Sequence, residues 1–156
     1  MLPARRHPLL PDAGLLIGRL ALGAVFIAHG WQKLHDTGHA AVAAQFDKLG
    51  IPMPGLSAYF GTWVELAGGI ALVAGVLLPV AGVLIAVDMA GAFWFVHRDH
   101  GLFSEKGGYE YVLVLGAAAL LFALAGGGRI SLDAVLWRRL ARRGESGVAE
   151  RQPARV

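Results

Sequence analysis

Six ionisable residues stand inside, or at the rim of, long apolar runs: Arg19, His29, Lys33, Glu65, Asp88 and Glu110. A charge at the centre of a bilayer costs roughly 2.5–3.5 kcal/mol on insertion scales, so each such group needs a partner or a use. At the helical rise per residue, His29 sits ~7 Å, Glu65 ~12 Å, Asp88 ~13 Å and Arg19 ~22 Å in from the outer ends of their runs, with Lys33 and Glu110 at the rim. Two deep carboxylates and Glu110 above them face one deep arginine, so a buried charge network of Arg19, Glu65, Asp88 and Glu110 is expected. One acid is then left protonated or paired with His29 or Lys33, the arrangement found where protons are handled or a quinone is bound. The competing expectation is structural: Arg19 pairs with Glu65 or Asp88 and merely holds the bundle together.

Helical spacing gathers these groups on faces. Arg19, Gly23, Phe26, Gly30 and Lys33 advance by four, three, four and three residues, with His29 on the flank of that stripe. Gly61, Glu65, Gly68, Leu72 and Gly75 form a similar stripe, setting the carboxylate in a groove of glycines suited to close helix approach or to a ligand. His29, Lys33, Glu65 and Asp88 are therefore the ligand-binding candidates, with Trp63 and Tyr111 walling the mouth of the pocket. The pairs His35/His39 and His97/His100 have helical spacing, but they sit in polar rims where histidine is ordinary, and no metal site is assigned to them.

These residues must be held by membrane helices. The chain has 156 residues, 56% hydrophobic and 16% charged, with a mean hydropathy of +0.56. Soluble domains are nearer ~45–50% apolar and ~25% charged. Four apolar segments are long enough to cross a bilayer: Gly14 to Leu34, Ser57 to Leu78, Val80 to His97, and Tyr109 to Gly126. The second and third are joined by little more than Pro79, which predicts a tight helical hairpin. The fold class expected is an all-α antiparallel bundle of four transmembrane helices. Cysteine is absent, which excludes a disulfide framework, a thiolate metal site and an iron–sulfur cluster formed by this chain. No cofactor is intrinsic, so any redox chemistry borrows one, with quinone the candidate. The net charge of +3 lies beside apolar segments, which suits an anionic lipid surface and not nucleic acid.

The remainder divides around that bundle. Residues 1–13 form an N-terminal arm, 14–128 the transmembrane domain, 129–143 a basic amphipathic surface helix capped by Ser131, and 144–156 a disordered tail. Between the first two spans, Ala40 to Leu49 reads as a helix along the outer interface, ahead of the breakers from Gly50 to Gly55. Nine lysines and arginines flank one side of the bundle and four the other, which places both termini in the cytoplasm.

The chain resembles the DoxX family of small four-helix membrane proteins. The resemblance lies in Arg19-Leu20-Ala21-Leu22-Gly23 leading through Phe26 to His29-Gly30-Trp31-Gln32-Lys33-Leu34, in Phe46 to Leu49 followed by Gly50-Ile51-Pro52, in Glu65-Leu66-Ala67-Gly68-Gly69, and in Gly128 with Ser131-Leu132-Asp133. It implies a bacterial inner-membrane bundle, linked in some relatives to quinone-dependent oxidoreduction and in others to redox-stress complexes. Arg19, His29, Lys33 and Glu65 carry over as motif positions without an assigned role in catalysis. Two functions are left open: a redox-linked subunit with a partner protein, or a non-catalytic scaffold or assembly factor. Either admits a homo-oligomer.

Overall fold

The computed structural model describes residues 9–136. Among them are five α-helices: α1 (Leu9–Trp31), α2 (His39–Lys48), α3 (Pro54–Ala74), α4 (Leu78–Ala92) and α5 (Glu110–Ala125). Wider π-helical turns prolong α1 through Gln32–Thr37 and α4 through Phe93–His97. With these extensions α1, α3 and α4 are each long and apolar enough to cross a membrane, while α5 is a shorter apolar helix. Its 16 residues span about 24 Å. Large apolar side chains such as Ile17, Ile70, Val83, Val87, Leu113, Leu121 and Leu124 face outward, as the lipid-facing surface of a membrane protein must. The fold is an all-α membrane bundle.

Several boundaries differ from the sequence reading. The helix of the first span already holds Leu9 to Ala13, ahead of the expected Gly14. The second stops at Ala74, because Gly75 takes a left-handed conformation (φ 69°) and its N–H returns to the carbonyl of Ala71. The hairpin turn is thus Gly75–Val76–Leu77, and Pro79 belongs to the first turn of α4. Ser131 does cap a helical stretch over 132–136, accepting from the N–H of Ala134 at 3.2 Å. The rest of the expected basic helix, the tail and most of the N-terminal arm lie outside the described residues.

α1 packs on α3, α4 on α5, and α3 on α4, while α2 lies against α3. The α1–α3 seam is backbone against backbone. A Cβ at Gly23 would lie 2.7 Å from the carbonyl oxygen of Gly69, and one at Gly30 would lie 2.6 Å from the backbone nitrogen of Leu66. Glycine is what permits this approach, and in lipid, close van der Waals contact is a main source of helix association. Leu22, Phe26, Leu72, Leu78, Ile85, Met89, Leu115 and Phe122 fill the centre. The seam brings the middle and outer turns of α1 close enough for its polar side chains to reach α3.

Candidate functional site

At one end of the bundle Arg19 is completely buried. Its Nη1 donates to the carbonyls of Leu72 (2.9 Å) and Val73 (3.2 Å), and its Nη2 to the carbonyl of Ile130 (2.7 Å). The last carbonyls of a helix have no partner within it and form the negative end of its dipole, so a guanidinium is a fitting cap. Gly75 leaves room for it, since a side chain there would collide with the Arg19 guanidinium. This corrects the expected charge network. Arg19 pairs with none of Glu65, Asp88 and Glu110; backbone carbonyls ending α3 take its charge.

The same end holds a partner that sequence reasoning missed. Asp12, buried in the first turn of α1, accepts from the backbone N–H of Arg129 at 2.8 Å and from its Nε at 2.7 Å. The N–H of Asp133 donates to the carbonyl of Gly75 at 3.0 Å. The start of α1, the α3–α4 turn and the segment after α5 are thereby tied into one knot. An aspartate at the mouth of an apolar run was the available signal; it was hidden by assigning Asp12 to a free arm.

At the opposite end, Lys33 leaves the π-helical turn and reaches across the seam, its Nζ 2.6 Å from Oε2 of Glu65. The Glu65 side chain is only 6% exposed and that of Lys33 26%. Asp88, on α4, lies within electrostatic range of both. Its carboxylate points at α3: a Cβ at Gly61 would stand 3.2 Å from Oδ1 of Asp88 and 3.9 Å from the ring of Phe46 on α2. Among the described residues nothing donates a hydrogen bond to Asp88. Nearby on the buried face of α3, one turn before Glu65, Thr62 is 4% exposed and its Oγ1 has no partner.

The other candidates are elsewhere. His29 is exposed on α1, because the neighbouring Gly30 occupies the face pressed on α3 and the next position round the helix points out. Tyr111 is likewise outward, and Glu110 sits at the rim, where it accepts from the N–H of Ser104 at 2.7 Å. His35 stacks on Trp31, His39 stacks on Tyr59, and Nδ1 of His97 lies 2.7 Å from the carbonyl of Gly107. Among the described residues no three ligating side chains gather around one point.

Trp63 lines a groove. Between α3 and α4 an apolar channel of 320 Å³ opens on the lipid-facing surface, with Phe60, Trp63, Val64 and Gly68 on one wall and Ala81 and Leu84 on the other. Continuing each row by one turn leads from Gly68 and Val64 to Gly61, and from Ala81 and Leu84 to Asp88. Those two rows lead toward the polar cluster, though neither Gly61 nor Asp88 lines the groove itself. A second groove runs between α4 and α5 along Met89, Phe93, Val112 and Gly116.

The comparisons fit this geometry. The DoxX family model matches residues 14–98. "Inner membrane protein YqjF" of Escherichia coli (strain K12) is 29% identical over 131 residues, covering 81% of this chain and 95% of that protein. "Putative oxidoreductase CatD" of Bacillus subtilis (strain 168) is 28% identical over 127 residues, covering 81% of this chain and 90% of that protein. No solved structure matches the chain. The matched stretch contains Arg19, Lys33, Glu65 and Asp88 and more than half of all residues, so the helix cap, the ion pair and the acid near it are those of a chain that belongs to the DoxX family.

Proposed function

We propose that this chain is the quinone-binding membrane subunit of an oxidoreductase in the bacterial inner membrane. The observation that carries the reading is that the two walls of a lipid-facing apolar groove, continued by one helical turn, lead to Gly61 and Asp88, close to the Lys33–Glu65 pair. A lipid-soluble ring with an isoprenoid tail has that same division. The tail lies against Val64, Gly68, Ala81 and Leu84, and the ring oxygens meet Asp88 beside the Lys33–Glu65 pair. Cofactor sites of this kind are mostly apolar with a few placed polar groups. The ring supplies the electron chemistry; the chain's own part is to bind and orient it and to exchange protons at the Asp88 carboxylate. Electrons pass to or from a partner redox protein. A relative named as an oxidoreductase supports the reading, and a relative named as an inner-membrane protein supports the location.

The orientation belongs to the same proposal. That Asp12 and Arg129 meet at one end of the bundle supports termini on one side, and the excess of lysine and arginine flanking that end supports the cytoplasm as that side. The cluster then opens in the outer half of the membrane.

Purification in a mild detergent followed by solvent extraction and chromatography tests the proposal. Ubiquinone or menaquinone should accompany the protein in near-stoichiometric amount, and a short-tailed analogue should quench tryptophan fluorescence saturably, an effect diminished in Trp63→Phe. Absence of both overturns it and leaves the scaffold reading, in which the chain holds a partner without binding a ring.

A further inference from the structure

We infer that the segment following α5 is a docking surface for anionic phospholipid, whose acyl chains cover its outward apolar side chains and whose phosphates meet the arginines beside them. The inference is independent of what the grooves bind.

A short helical stretch is turned the wrong way round for water. Ser131 starts it, its Oγ accepting from the N–H of Ala134 at 3.2 Å and donating to the carbonyl of Gly128 at 2.8 Å. The N–H of Asp133 donates to the carbonyl of Gly75 at 3.0 Å, and Nη2 of Arg19 to the carbonyl of Ile130 at 2.7 Å. These bonds fix which face meets the bundle. Ser131 is buried and Asp133 and Ala134 are half-buried, so the small and polar residues point inward. Leu132, Val135 and Leu136 have the i, i+3 and i+4 spacing of one helical face and point outward with Ile130, each at least 40% exposed. Leu77, in the α3–α4 turn to which the segment is tied, is exposed as well. Exposed apolar side chains gathered in this way mark a surface that meets a membrane or a protein.

Position and charge name the occupant. Residues 126–128 alone separate Arg129 from the end of α5, an apolar helix, so the segment stands at the height of the lipid headgroups. The Arg129 side chain is largely exposed even while bonded to Asp12. Beyond Leu136 the sequence places Arg138, Arg139, Arg142 and Arg143, and from 129 to 143 the only acid is Asp133. An apolar face accompanied by arginines suits the boundary between headgroups and acyl chains, where the cations meet phosphate. The leaflet already lies at that height, whereas an acidic partner protein has to be brought there.

The test uses the full chain in lipid nanodiscs, carrying a nitroxide on Val135→Cys; the native chain has no cysteine. Collisions with oxygen, which concentrates in lipid, are compared with collisions with a water-soluble nickel chelate. In discs of phosphatidylglycerol mixed with phosphatidylcholine, the oxygen-to-nickel ratio should be at least about threefold that in discs of phosphatidylcholine alone. That gain should shrink at raised salt and vanish when Arg138→Gln, Arg139→Gln, Arg142→Gln and Arg143→Gln are combined. If the combined variant is not recovered folded, the comparison of lipids and the salt series decide. Equal ratios in the two lipids overturn the inference. A label shielded from oxygen and nickel alike overturns it in favour of a protein cover, either a second copy or an acidic partner. A gain that survives the four substitutions overturns the part assigned to the arginines.

Discussion

The Nζ of Lys33 and the Oε2 of Glu65 stand 2.6 Å apart, bridging α1 and α3 at the place where the α-helical winding of α1 gives way to a π-helical turn. Each side chain is satisfied chiefly by the other. Removing one strands a charge: Lys33→Met or Glu65→Leu should each cost ~3 kcal/mol, at the low end for buried pairs because the Lys33 side chain is 26% exposed. The double variant should recover most of that loss. Thermal unfolding in detergent, arranged as a double-mutant cycle, reads the coupling directly.

Arg19 behaves differently, because its partners are backbone carbonyls. Arg19→Lys keeps the charge but loses the planar fork that serves Leu72, Val73 and Ile130 together, so it should lower the folded yield substantially. Neutralising Glu65 or Asp88 in an Arg19→Leu background should give no rescue. Size-exclusion profiles of the variants settle the matter, and selective rescue by either acid would contradict the cap.

The glycines should separate into two classes. Gly30→Val forces side-chain atoms onto the backbone of Leu66 and should cost at least ~2 kcal/mol or part the α1–α3 seam. Gly14, also on α1, has nothing within 4 Å of where its Cβ would be; Gly14→Ala should be neutral or stabilising by up to ~1 kcal/mol. Melting temperatures of the pair, measured side by side, provide the check.

Asp12→Asn keeps the shape of the knot but removes the charge that holds Arg129. Its expected signature is local. Hydrogen exchange at the amide of Asp133, bonded to the carbonyl of Gly75, should accelerate about tenfold while amides in the middle of α3 remain protected.

Orientation is open to direct labelling, because the chain has no cysteine. A cysteine at Ser104, in the loop before α5, should react with an impermeant maleimide in spheroplasts, and one at Ser146 should react only after the membrane is permeabilised. The reverse pattern would refute cytoplasmic termini.

The bundle was legible in the sequence because apolar run length and composition are strong signals, and four short motifs, in their order and spacing from Arg19 to Asp133, together pointed to the family. Glu65 and Asp88 were expected at nearly equal depth, and Asp88 lies against Gly61, about one turn before Glu65 on α3. What the sequence did not carry was the choice between partners. Arg19 could be matched with carboxylates by counting charges, but counting charges overlooks the unpaired carbonyls that every helix end exposes. Position round the helix was decisive for His29, where a single step from Gly30 turned the ring out of the bundle. The π-helical turn that delivers Lys33 has no recognisable signature in composition or spacing, and the unpaired hydroxyl of Thr62 follows only from packing.

The brevity of α5 reaches beyond the protein itself. At about 24 Å it falls short of a hydrocarbon layer of roughly 30 Å, whereas the 23 residues of α1 ahead of its polar π-helical turn span about 35 Å and exceed that thickness. The perimeter is therefore uneven in hydrophobic height, and the surrounding lipid must pinch inward along α5 and swell, or let the helix tilt, along α1. The expected consequence is a dependence on acyl-chain length, the folded protein being more stable in short-chain than in long-chain bilayers.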